Sequence, residues 1–290
     1  LEEALEMRWR LYQGDHPDVA ISLSSLARVR HRMGRIVEAE AMFVQALEMQ
    51  KRLHQGDHPH VAISMQHLAG VLLELGRWAE AEALTMQALE MNQRLFPGDH
   101  PEVAIDLHAL GVARARLGRV GEAEQSFMKS LEMRQRLFPG VHPDVAASLL
   151  NLADLRMLDR PAEAEQLILR ALEMYRRLNE GRDHPSVATS LNNLASARLF
   201  QGHHEEAESV LVQALEMQQR LFPGNHPDVA SSLANLAMMR ERLGRLVEAE
   251  PLHVRALAMR QALFPSNHPA VATSLFNVAF LLDRLGRIKE

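Results

Sequence analysis

Histidine followed by proline recurs at His16, His58, His100, His142, His184, His226 and His268, an interval of 42 residues every time. Imidazole is the side chain best suited to proton transfer near neutrality and to metal ligation, so seven in register invite both readings. Rings carried by successive copies of one unit stand about 8–10 Å apart, the spacing of packed helices, and form a ladder along an edge without closing round one ion. A structural role at helix starts is the expectation for them. His203 and His204 beside Glu205 and Glu206 are the densest ligand-type group, but they lack the H-E-x-x-H spacing and read as a solvated turn. Cys is absent, and no Gly-rich phosphate loop or G-x-S-x-G elbow occurs. The acidic pairs in the repeated block Glu-Ala-Glu are too regular for a catalytic dyad, and Met49, Met91, Met133, Met174 and Met217 fall at repeat spacing as packing residues. No catalytic residue, metal or cofactor is therefore expected, and the chain reads as a non-enzyme.

The histidines are one landmark of a larger unit. Gly34, Gly76, Gly118, Gly202, Gly244 and Gly286 share the period, and one unit reads GDHPDVAISLSSLARVRHRMGRIVEAEAMFVQALEMQKRL. Its physics describes two antiparallel helices. Asp15 and its equivalents Asp57, Asp99, Asp183, Asn225 and Asn267 are expected to cap the first, with Pro17 at the first helical position and Asp18 on the positive end of the dipole. Val19, Leu23, Leu26 and Ala27 lie at helical spacing, and Gly34 supplies a left-handed stop. The second helix begins near Val37 with Ala39, Phe43, Ala46, Leu47 and Leu53 on one stripe. Pro251 falls early in such a helix, where a missing N–H is expected to cost little. In the stretch MLDRPAEAE, Asp159 takes the Gly position one residue early and is expected to turn left-handed, shifting the local approach angle.

The 42-residue period, the small residues at Ala27, Ala39 and Ala46, and the string HPDVAxSLxNLA resemble the tetratricopeptide repeat, in its kinesin light chain-like subtype. The resemblance covers essentially the whole chain. It implies an all-α fold, a right-handed superhelical solenoid of antiparallel helix pairs. One solenoid is expected over 1–290: a partial second helix over 1–14, repeats starting near 16, 58, 100, 142, 184 and 226, and a final first helix in 268–290. The two ends read as those of a segment from a longer array.

In such an array the first helix of each pair lines the concave surface. At about 100° per residue, Ile21, Ser24, Ser25, Arg28 and Arg32 lie opposite the core stripe. The Ser25 position runs Ser25, His67, Ala109, Asn151, Asn193, Asn235, Asn277, with Asn192 beside it. An amide both donates and accepts, so an Asn row suits an extended peptide backbone; the family uses Asn here to clasp peptide, although bridging between repeats is the other reading. The Arg32 position runs Arg32, Glu74, Arg116, Phe200, Arg242, Arg284, and Arg28 adds a cation, so the groove leans basic and suits acidic segments. Where the family carries Tyr, this chain has Arg30, Arg114, Arg156, Arg198 and Arg240, expected to be half-buried against the second Glu of the Glu-Ala-Glu block, as Arg30 with Glu40.

Composition narrows the partners. The net charge of −5 disfavours a nucleic-acid binder, and no apolar run spans a membrane. The N-terminus LEEALEMRWR lacks a signal-peptide pattern and the chain has no Cys, which fits the cytoplasm. The expected function is a protein- or peptide-binding scaffold. The alternatives are a sensory or autoinhibitory arm of a larger signalling protein, or an array that self-associates end to end.

Overall fold

The computed structural model describes residues 1–287, so Lys289 and Glu290 at the end of the expected final repeat lie outside the described residues. The chain divides into two compact units, Leu1–Gly140 and Val141–Glu290. The first holds α1 (Glu2–Leu11), α2 (Pro17–Arg32), α3 (Ile36–Leu53), α4 (Pro59–Glu74), α5 (Trp78–Leu95), α6 (Pro101–Arg116) and α7 (Val120–Leu137). The second holds α8 (Pro143–Arg156), α9 (Pro161–Leu178), α10 (Pro185–Phe200), α11 (His204–Leu221), α12 (Pro227–Arg242), α13 (Leu246–Leu263) and α14 (Pro269–Arg284). Among the described residues there is no strand. Within each unit every helix packs on its sequence neighbours, the arrangement of stacked helix pairs.

Each first helix begins with Pro at its first position and is capped by the histidine before it, whose Nδ1 accepts the backbone N–H two residues on, at 3.1–3.3 Å, in all seven turns. The cap is thus His and not the preceding Asp. Asp15 instead takes two hydrogen bonds from Arg52, 2.5 Å from Nε and 2.9 Å from Nη2, tying the start of α2 to the end of α3. Asp57 with Arg94, Asp99 with Arg136 and Asp183 with Arg220 repeat this clamp, and each guanidinium holds its carboxyl below the ordinary Asp range. Beneath most caps a ring four residues upstream lies flat on the imidazole: Tyr12 on His16, His54 on His58, Phe96 on His100, Phe222 on His226 and Phe264 on His268.

Gly34 ends α2 with φ +75°, as expected of a left-handed stop. Asp159 departs from expectation: it does not turn left-handed. α8 stops at Arg156 after 14 residues where the other first helices run 16, and the left-handed pair of that repeat comes later, at Glu180 (φ 53°) and Gly181 (φ 73°). Pro251 also differs. It sits at the sixth residue of α13, past the free N–H groups of the first turn, and removes the bond to the Val247 carbonyl, on a residue that faces solvent.

The core follows the small-residue stripe. Ala27, Ala39, Phe43, Leu47, Val61, Met65 and Leu68 form one buried cluster in the first unit; Ala237, Ala249 and Leu281 form one in the second. At Gly111 of α6 a Cβ would stand 2.7 Å from the Phe127 ring, so α6 and α7 approach as closely as the pattern allows.

Candidate peptide-binding face on the first helices

Two sets of bonds fix the first helices in register before any side chain faces outward. In one, a polar residue near the end of a second helix reaches a buried position 14 residues on, as Arg8 to Ser22 at 2.6 Å, Asn92 to Asp106 at 2.7 Å and Arg260 to Ser274 at 2.7 Å. In the other, the half-buried Arg row crosses between repeats. Arg114 bonds Glu82 at 3.1 Å, Arg198 bonds Glu165 at 3.0 Å and Arg240 bonds Glu208 at 3.0 Å, each carboxylate belonging to the preceding repeat. Arg119 and Arg245 share Glu82 and Glu208. Burial alone would raise Glu165 and Glu208, but hydrogen bonds from Gln201 and Arg198, and from Arg245 and Arg240, hold both below the ordinary Glu range.

The expected pairing of Arg30 with Glu40 is corrected by the same geometry. Arg30 bonds Glu2 and lies 3.8 Å from Glu38, while Glu40 is taken by Arg77 of the next repeat. The guanidinium is half-buried and paired as reasoned, with the neighbour one step away along the array.

In the second unit, Asn151 (α8), Asn192 and Asn193 (α10), Asn235 (α12) and Asn277 (α14) differ in what holds them. Asn192 is engaged internally: its amide donates to Ser232 Oγ at 3.1 Å and its carbonyl oxygen accepts from that hydroxyl at 3.3 Å, bridging α10 and α12. Asn193 makes a long bond of 3.4 Å to Asp154. Among the described residues the side chains of Asn151, Asn235 and Asn277 have no hydrogen-bond partner, and Asn235 is exposed.

Asn235 borders a pocket of about 250 Å³ between α10 and α12, walled by Leu199, Phe200, Met238 and Met239 and closed by Arg242. A neighbouring pocket of about 300 Å³ shares Met238 and Arg242 and reaches Asn277, Phe280 and Arg284 on α14. The two cations are not equal. Arg284 donates to Glu241 at 2.9 Å, and Glu241, 8% exposed, also bonds the buried His253 at 2.7 Å. Arg242 is exposed and has no acidic partner among the described residues.

In the first unit Arg28 and Arg32 on α2 and Arg116 on α6 are exposed, again without a carboxylate partner among the described residues. Arg28 lines a pocket of about 180 Å³ with Ser24, Ser25 and His67. His67 holds the Asn-row position there, and burial, with the Arg28 charge, pushes its imidazole below the ordinary range. Glu74, at the Arg32 position, faces His31 at 2.9 Å. Among the described residues the densest histidine group is not His203 with His204. It lies at the second His-Pro turn, where ring nitrogens of His54, His58 and His60 all fall within 4.8 Å of one another.

The sequence model of the tetratricopeptide repeat matches residues 1–52, 26–94, 60–136, 107–177, 144–220 and 223–290. The chain belongs to the tetratricopeptide repeat family. No curated protein sequence matches this tetratricopeptide chain. Among solved structures it is similar to a kinesin light chain-type protein of nearly identical TPR-like repeats from Podosopora anserina, at 26% identity and TM-score 0.62 over 71% of this chain and 97% of that one. BtubC from P. vanneervenii is similar at 24% identity and TM-score 0.68, over 81% and 94% of the two chains. A Rap protein complexed with Competence and Sporulation Factor shares the fold at 12% identity and TM-score 0.62, over 92% and 76%. Of the described tetratricopeptide helices, none is long and apolar enough to cross a membrane.

Proposed function

We propose that this tetratricopeptide chain is a binding scaffold whose first-helix face in the second unit takes an extended, acidic peptide segment. The observation that carries this reading is the pairing of two groups without internal partners, Asn235 and Arg242, at the edge of one apolar pocket. An amide suits the peptide backbone, the pocket walled by Leu199, Phe200 and Met238 takes an apolar side chain, and Arg242 takes the carboxylate beside it. The Rap protein, complexed with its factor on the same fold, supports a ligand-holding role for such helix arrays. Asn151 and Asn277 extend the row in both directions, and Arg28, Arg32 and Arg116 give the first unit a basic face of its own. Asn192 belongs to the support of the site, because its amide is spent on Ser232.

The test is a fluorescence-anisotropy titration with extended peptides that alternate apolar and acidic residues, beside the same peptides carrying Lys for Glu. The acidic series is expected to bind more tightly, with affinity falling as salt rises. Arg242→Ala and Asn235→Ala are each expected to weaken it by about 1–2 kcal/mol, five- to thirty-fold. Equal affinity for the Lys peptides, or unchanged affinity in both variants, removes the assignment.

A further inference from the structure

The second His-Pro turn breaks the repeat pattern at two positions at once. Four residues before the capping histidine, five of the other turns carry Tyr12, Phe96, Phe138, Phe222 or Phe264 and one carries Glu180; here the residue is His54. Two residues after it, four of the other turns carry Asp18, Glu102, Asp144 or Asp228 and two carry Ser186 and Ala270; here it is His60. Neither change serves the turn itself. A phenyl ring stacks on the cap as well as an imidazole does, at 3.8 Å for Phe96 against 3.4 Å for His54, and an acid at the later position favours the helix dipole. What the two replacements add is nitrogen lone pairs around a third imidazole.

We propose that His54, His58 and His60 form a binding site for a borderline transition-metal dication of the Zn²⁺ class. One ring nitrogen of each lies within 4.8 Å of the others, and His54 Nε2 is buried without a hydrogen-bond partner. His60 stands nearly perpendicular to both other rings, at 78° to His54 and 76° to His58. Zinc at about 2.0–2.1 Å from each nitrogen asks for nitrogens about 3.3 Å apart, so the rings close by side-chain rotation, the parallel His54 ring tilting out of its stack. The donor set is imidazole alone, which suits Zn²⁺, Ni²⁺ or Cu²⁺ and not Ca²⁺ or Mg²⁺; the adjacent Asp57 is occupied by Arg94. His58 Nδ1 now accepts the His60 amide at 3.2 Å. A neutral imidazole has one lone pair, so ligation by His58 exchanges that cap bond for a coordinate bond. Three histidines leave a fourth position for water or a ligand from outside the chain.

The experiment is calorimetric titration of the untagged chain with ZnCl₂ at neutral pH, with CaCl₂ as the second arm. Substitutions that restore residues from other turns serve as variants: His54→Phe, which keeps the stack, and His60→Ser, the residue at position 186. Circular dichroism and the thermal midpoint verify that both fold. One equivalent of Zn²⁺ is expected on the unaltered chain, no Ca²⁺ uptake, binding at least about ten-fold weaker in each variant and none in the double variant. His203→Gln is expected to leave binding unchanged. Absence of saturable Zn²⁺ uptake in the micromolar range, or equal uptake by the double variant, overturns the site.

Discussion

At Asp106 a single residue departs from a row that is otherwise serine. Ser22, Ser64, Ser148, Ser190, Ser232 and Ser274 fill the equivalent buried position, and Asp106 is 0% exposed. Burial pushes its carboxyl up to about 6, against the hydrogen bonds from Asn92 at 2.7 Å and Gln66 at 3.0 Å. The folded state therefore holds this proton more tightly than the unfolded chain does. The stability that goes with it is full below about pH 3.8 and is lost as pH rises through about 6, a penalty of roughly 2–3 kcal/mol at neutrality. Asp106→Ser is expected to raise the urea midpoint at pH 7.5 by clearly more than at pH 4; an equal change at the two pH values refutes the account. The row itself is visible in the sequence, since a 42-residue period places all seven residues in register. Periodicity does not reveal that the whole row is buried, nor that Asp106 is met there by Asn92 and Gln66 from neighbouring helices.

Helix starts show how far local rules reach. The positions of the starts, the Pro at each first turn and the Gly34-type stop were all legible, because they depend on backbone geometry that the residue itself imposes. Acidic and amide residues lead at caps, so the sequence points to Asp15, whereas the imidazole does that work and Asp15 is held by Arg52. A ring four residues before six of the seven His-Pro pairs is the signal that points to His: the flat stack of Phe222 on His226, 3.8 Å apart at 4°, fixes the imidazole where Nδ1 faces the amide. His226→Ala is expected to cost about 1–2 kcal/mol, and His226→Asn, which keeps a cap acceptor but loses the stack, is expected to recover about half of that by chemical denaturation. If Asn recovers nothing, the stack and not the cap holds the turn. Arg30 departs from its expected partner for a related reason. Counting angles around one helix pair tells which side a guanidinium faces, but not that the carboxylate waiting there belongs to the adjacent repeat.

Across each unit, contact is confined to neighbouring pairs, so disturbance should remain local. Ala249 on α13 is fully buried, and Ala249→Leu overpacks its site by about 1–3 kcal/mol. Hydrogen exchange is expected to show protection falling in α12, α13 and α14 and persisting in α8 and α9; uniform loss across the unit contradicts this. The same locality explains why the fold class was readable from one repeat while the candidate face was not. Asn151, Asn192, Asn193, Asn235 and Asn277 look alike in a row, yet Asn192 is consumed by Ser232, and Arg284 is matched by Glu241 where Arg242 is not. Those distinctions are set by whichever residue the adjacent repeat presents.

The carboxylates that serve the repeat ahead have a consequence for how such a gene can change. Glu82 meets Arg114 and Arg119, and Glu208 meets Arg240 and Arg245, through the same displacement along the chain. A block of 42 residues excised or copied between two such points leaves these carboxylates facing the same two guanidinium groups, and Glu40 and Glu250 still meet one each, in Arg77 and Arg287, so the array can lengthen or shorten by whole repeats without stranding a charge. Only the stretch from α8 to Gly181, where one residue is lost and one regained, is bound to its own place in the order.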